Sequence, residues 1–76
     1  MQAKTLQPAL LRRLEAAAYV SRSPASFDRL IAGNRTPAPI KLGGGVMFRR
    51  SDLDKWIEHG CPDRKTFDAI IASDRS

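Results

Sequence analysis

Cys61 and His59 are the chain's only thiol and only imidazole, and they stand two residues apart. A thiol becomes a nucleophile when a neighbouring base or cation stabilises its thiolate. No second histidine or matched acid is placed to do so, and Cys61 beside Pro62 reads as a turn residue. His59 falls late in a helical pattern, where an imidazolium favours the negative end of the helix dipole. Asp52 and Asp54 are two positions apart, which turns them to different sides of a helix. They read as first-turn acids, not as an acid and base pair or a shared metal site. The run Gly43-Gly44-Gly45 suggests a phosphate cradle, but no Lys-Ser/Thr follows and the β-prone triplet Val46-Met47-Phe48 comes next. A single cysteine and a single histidine also exclude a disulfide framework or a zinc finger built from one copy. The inventory points away from catalysis, and no metal or cofactor is expected.

What remains is positive charge and where it lies. The formal net charge is +5 and the pI is near 10.2. Residues 1–50 carry nine Lys and Arg against two acids, Glu15 and Asp28, whereas residues 51–76 carry four basic and six acidic side chains. A polyanion facing the first two thirds of the chain fits that asymmetry, with a solvated basic surface as the plainer alternative. Hydrophobic residues at 42% and charged residues at 28% place the chain among ordinary globular domains. At 76 residues it is one domain with a small core. No apolar run approaches the ~20 residues of a membrane span, and "MQAKTLQPALLRRLEAAAYV" has no unbroken apolar stretch leading to a cleavage site. A reducing cytoplasm is the expected setting.

The elements that must position these charges are legible as a string of start and stop signals. Residues 1–10 read as a flexible N-terminal tail. "LEAAAYV" from Leu14 is alanine-rich with an early acid, a short helix whose inward stripe is read as Leu14, Ala17, Ala18 and Tyr19 or Val20. Ser23 is a good N-cap, and Pro24 suits the first helical position, whose amide has no partner. The second helix runs to Gly33-Asn34, with Phe27, Leu30 and Ile31 on one face and Ala25, Asp28, Arg29 and Ala32 on the other. Two short helices with so short a joint cross steeply, as in a helix-turn-helix. "IKL" and "VMF" around the glycines read as a β-hairpin with a loop of three residues or slightly more. Ser51 reads as the N-cap of a third helix, with Asp54 as a capping-box acid, Leu53, Trp56 and Ile57 as its apolar stripe and Gly60 as its stop. Asp63 caps a fourth, with Phe67, Ile70 and Ile71 inward.

A helix with a small, polar, exposed face fits a DNA major groove, with side chains near its N-terminus at base edges and flanking groups on phosphates. Arg22, Ser23, Ala25, Ser26 and Arg29 are the candidates on the second helix. Arg29 suits a bidentate contact to guanine or a phosphate clamp, and Ser23 doubles as the cap. Asp28 is the awkward member, repelling phosphate unless it accepts from cytosine or pairs with an arginine. On the hairpin, Lys41, Arg49 and Arg50 are read as bracketing the glycine tip for phosphate or minor-groove contact, and Gly44 lets the tip come close to a backbone.

In this order "LEAAAYVSRSPASFDRLI", "PAPIKLGGG" and "FRRSDLDKWIEHG" resemble the small helix-turn-helix proteins of the AlpA-type regulator and phage excisionase group, related to the DNA-binding domain of MerR-type regulators. The resemblance spans about residues 11–60. It implies a mostly α, winged helix-turn-helix fold (α-turn-α, β-hairpin wing, α, C-terminal α), with the recognition helix at Pro24 to Gly33 and the wing at Ile40 to Phe48. It also implies sequence-specific binding of double-stranded DNA without catalysis, in the bacterial cytoplasm on the nucleoid. Members often carry a basic or bulky residue in the wing tip where this chain has Gly45. The long dimerising helix and effector domain of MerR-type sensors have no counterpart here, and no small-molecule ligand is expected. Residues 11–60 form the expected DNA-binding domain and 61–76 a C-terminal helix and tail. The chain is expected to act as a transcriptional regulator of a mobile element or its host, bound as a dimer or tandem copies. One alternative is a recombination directionality factor; another is a non-catalytic adaptor that docks a partner on Phe67, Ile70 and Ile71.

Overall fold

The computed structural model describes residues 8–75. It contains four helices and one three-stranded antiparallel sheet, in the order β1 (Leu10–Arg12), α1 (Arg13–Tyr19), α2 (Pro24–Ala32), β2 (Ile40–Leu42), β3 (Gly45–Arg49), α3 (Arg50–Glu58) and α4 (Arg64–Arg75). Strand β3 is central, paired to β1 with Leu11 opposite Phe48 and to β2 with Lys41 opposite Val46. None of the described helices is long and apolar enough to cross a membrane.

Strand β1 is absent from the sequence reading, which assigned residue 10 to a tail; residues 1–7 of that tail lie outside the described residues. "LLR" is too short to show an alternation, and it becomes a strand only because β3 lies beside it. Leu11 is 4% exposed against the core. The chain then turns straight into α1, where the Glu15 carboxylate reaches back to accept from the Arg12 amide at 2.8 Å. The buried residues of α1 are Ala16 and Ala17, not Leu14 and Ala18: Leu14 is 56% exposed and Ala18 lies on the same outer side. The two alanines face the sheet and α2, and the leucine is turned out.

Helix α2 follows its expected bounds. The Ser23 hydroxyl accepts from the Ser26 amide at 3.2 Å, and Pro24 opens the first turn. Phe27 is fully buried and meets Phe48 of β3 edge-on, ring centroids 5.3 Å apart, so one aromatic contact fastens α2 to the hairpin. Helices α1, α2 and α3 end alike. Ser21, Asn34 and Gly60 take positive φ (61°, 57° and 83°), and the amides of Arg22, Arg35 and Cys61 close back on Ala17, Leu30 and Trp56 at 2.8 Å each.

The hairpin turns in two residues, not three or more. Leu42 faces Gly45, and Gly43 and Gly44 both have positive φ (59° and 85°), the combination a type I′ turn requires. At the far end of β3, Ser51 is not the N-cap of α3. Arg49 is still extended, Arg50 opens the helix, and its amide donates to the Ala9 carbonyl at 2.9 Å. Pairing with the β1 segment thus satisfies the first amide of α3, and the helix starts one residue before Ser51. Leu53 and Trp56 are buried, but Ile57 is 45% exposed, outside the stripe assigned to it.

Helix α4 is capped as expected, Thr66 donating its amide to the Asp63 carboxylate at 2.9 Å. Phe67 is 2% exposed and Ile71 packs against the same core, so the C-terminal helix belongs to the one hydrophobic unit. Of the face considered for an adaptor, Phe67 and Ile71 thus pack against the protein's own core, while Ile70 is half-buried. Arg64 fastens this helix to the turn after α2. Its amide donates to the Asn34 carbonyl (2.9 Å), its Nε to the Thr36 carbonyl (3.0 Å) and its guanidinium to Asn34 Oδ1 (2.9 Å), while Thr36 itself is fully buried.

Candidate nucleic-acid interface

The face of α2 opposite Phe27 is open. Arg22, Ser23, Ala25, Asp28, Arg29 and Ala32 are exposed and Ser26 is half-buried. Three of these positions are serine or alanine at the first turn, so the backbone there can approach a surface closely. The Arg22 guanidinium donates to the Ser26 hydroxyl, which holds the arginine along the helix instead of splayed into solvent. Ser23 caps through its hydroxyl and remains exposed, so capping and a surface contact coexist there.

Asp28 finds the partner its position demands. Arg13 of α1 donates to it at 2.6 Å, the two side chains 43% and 51% exposed. Such an exposed pair adds little stability, but it removes the one unbalanced negative charge from the open face. Arg13 is absent from the candidates read in the sequence, because fifteen residues separate it from Asp28 and no local pattern joins them. Arg35 is also exposed, just past the end of α2, with its stem near Gly33. The closing bond from its amide to the Leu30 carbonyl fixes where the chain leaves α2.

The hairpin candidates divide. Lys41 and Gly44 are at the tip: Lys41 is exposed opposite Val46, and a side chain built on Gly44 meets nothing within 4 Å. Arg49 and Arg50 do not bracket the tip. Arg49 lies four residues from Gly45, opposite Leu10, which at ~3.3 Å per residue puts it some 13 Å down the strand. It lines a shallow recess with Asp52, Asp68 and Ile71. Arg50 opens α3, its Nε 4.0 Å from Asp54. Nearness in sequence to the glycines suggests a place at the tip, but the length of β3 carries both arginines to its foot.

Other titratable groups serve the scaffold. The Tyr19 hydroxyl donates to Asp54, a bond that pushes its pKa up. Lys55 and Asp74 pair at 2.6 Å between α3 and α4, which raises the lysine and lowers the aspartate. The Asp63 carboxyl is held below its ordinary value by the Thr66 hydroxyl and amide. Cys61 is exposed at φ 57°, in the turn that ends α3, and His59 immediately follows that helix. No group of three His, Cys, Asp or Glu side chains among the described residues is arranged to hold a metal ion. A cleft of about 500 Å³ opens between the ends of α1, α2 and α3, floored by Val20, Leu30 and Trp56 and edged by Arg22 and Arg35.

Compared with protein-family models, curated proteins and solved structures, the chain matches none of them.

Proposed function

We propose that this chain is a winged helix-turn-helix protein of the AlpA and excisionase type that binds double-stranded DNA, laying α2 in the major groove with the hairpin as its wing. The observation that carries the proposal is the open face of α2. Small residues and two arginines, Arg22 and Arg29, surround a carboxylate already neutralised by Arg13. A surface made for a protein partner concentrates apolar and aromatic side chains at its centre; this one concentrates compact polar residues and cations, the composition that phosphate and base edges call for. Ser23, Ala25 and Ser26 give close approach, Arg22 and Arg29 the charge and the fork, Lys41 and Gly44 the wing contact. No step of catalysis enters the reading.

A single small module buries a limited area, so tight specific binding calls for two or more copies on the duplex. Copies on inverted half-sites would make the protein a regulator of transcription, and copies on direct repeats a recombination directionality factor. The test is titration of labelled 30-base-pair duplexes, random in sequence and then selected from a random pool. Binding that weakens steeply with salt and is tighter on the selected duplex supports the proposal; no binding of any duplex at low salt ends it.

A further inference from the structure

The third glycine is the unusual feature of the hairpin. Gly43 and Gly44 need positive φ, but Gly45 does not, and a Cβ built on it would meet only the Leu42 carbonyl at an ordinary 3.6 Å. A side chain therefore fits at position 45, and its lack has one structural consequence. Gly45 is the cross-strand partner of Leu42, and cross-strand pairs are what normally cover a strand side chain. With glycine opposite, Leu42 stands alone at the tip and is 57% exposed, the most exposed large hydrophobic residue described. Val46, one residue along, is 40% exposed.

Three further observations say what such a tip meets. No carboxylate occurs between Asp28 and Asp52, a stretch that holds Arg29, Arg35 and Lys41, so the apolar tip lies in the part of the chain most favourable to phosphate. The two turn positions are bare backbone with open space around them, which suits entry into a minor groove only about 6 Å wide. The hairpin is anchored at its base: β1 pairs with Met47, Phe48 and Arg49 of β3, and Phe48, three residues from Gly45, meets Phe27 of the proposed groove-reading helix edge-on.

On that reading of α2, we infer that Leu42 is a wedge that enters the minor groove beside the α2 contact, separates one base step and kinks the duplex. An inserted aliphatic side chain partly unstacks a step and bends DNA by about 20–90°. Pyrimidine–purine steps, the easiest to unstack, are the favoured point of entry. Lys41, on the opposite face of β2 by alternation, is left to hold the phosphates of the groove wall.

The test uses the full chain and a 30-base-pair duplex recovered with it from a random pool, carrying 2-aminopurine at successive pyrimidine–purine steps and a dye at each end. Wild type brightens 2-aminopurine at one step and shortens the end-to-end distance. Two variants remove the wedge in different ways: Leu42→Ala deletes it, and Gly45→Thr covers it while raising the melting temperature through a better strand pair. Both lose the brightening and straighten the duplex, with affinity lower by about tenfold or less. A mismatch placed at the affected step restores that affinity, because the unstacking no longer has to be done by the protein. Brightening that survives in Leu42→Ala overturns the wedge. A straight wild-type complex does the same while leaving DNA binding intact, whereas failure to bind any duplex removes the proposed function itself. Dimerisation in sedimentation that Leu42→Ala abolishes, with the bend unchanged, would give the tip to a second copy of the chain and also overturn the wedge.

Discussion

Arg29 stands at the middle of the open face of α2, and its guanidinium has two distinct uses there. A fork laid on guanine discriminates between sequences; a clamp on phosphate does not. Arg29→Ala is expected to cost about 1–3 kcal/mol on the selected duplex and much less on random DNA. Equal losses on both, read by titration at one salt concentration, would make it a clamp. Asp63 offers a test of the scaffold at the same scale. Thr66 holds its carboxyl below the ordinary value of 3.8, so its contribution to stability is complete above that value and is lost as pH falls through the lowered one. Asp63→Asn keeps a capping oxygen and removes the titration. Denaturant melts at pH 5 and pH 2 are expected to show a smaller acid loss in the variant than in wild type, and identical losses would separate the cap from the acid response. Asp28 shows where residue-level reading reaches its limit. Its need for a partner is evident from its place on a basic face, but that the partner is Arg13 depends on how α1 crosses α2.

Ser21 is the residue on which the joint between α1 and α2 depends. It holds φ at 61°, where a β-carbon is strained and glycine is not. Ser21→Gly is expected to stabilise the fold by about 0.5–1 kcal/mol without altering DNA affinity; a shifted affinity at unchanged stability would mean the serine itself touches the duplex. Elements whose signals are local were readable in advance. Helix α2 begins and ends on Ser23-Pro24 and Gly33-Asn34, and α4 begins on Asp63, because capping chemistry is written in neighbouring residues. Elements made by distant pairing were not. Strand β1 exists through Leu11 against Phe48, and Ser51 is not the cap because α3 already begins at Arg50, whose amide donates to the Ala9 carbonyl. Leu14 reads as core by hydropathy and is turned out, while Ala16 and Ala17 are buried. The candidate site was legible on α2 only as an exposed face, which follows from helical period alone. It was misplaced at the foot of the hairpin, where only the strand register shows how far Arg49 lies from the tip.

Across the whole molecule α3 and α4 mix both signs, whereas Arg22, Arg29, Arg35 and Lys41 around α2 and the hairpin tip are accompanied only by Asp28, which Arg13 already pairs. Binding to a polyanion then rests on a few residues, and salt counts them. Replacing Arg22, Arg29 and Lys41 together is expected to flatten the slope of log affinity against log salt by up to about three units. Arg49→Ala, beside Asp52 and Asp68, is expected to leave the slope unchanged; a change of a full unit there would place the hairpin's foot on the duplex as well. Arg64 joins the two parts, gripping Asn34 and Thr36 from the start of α4. The last helix and α2 are therefore expected to share one opening event: amides in both should exchange with solvent at a common rate, and loosening the chain's end would blur the open face of α2.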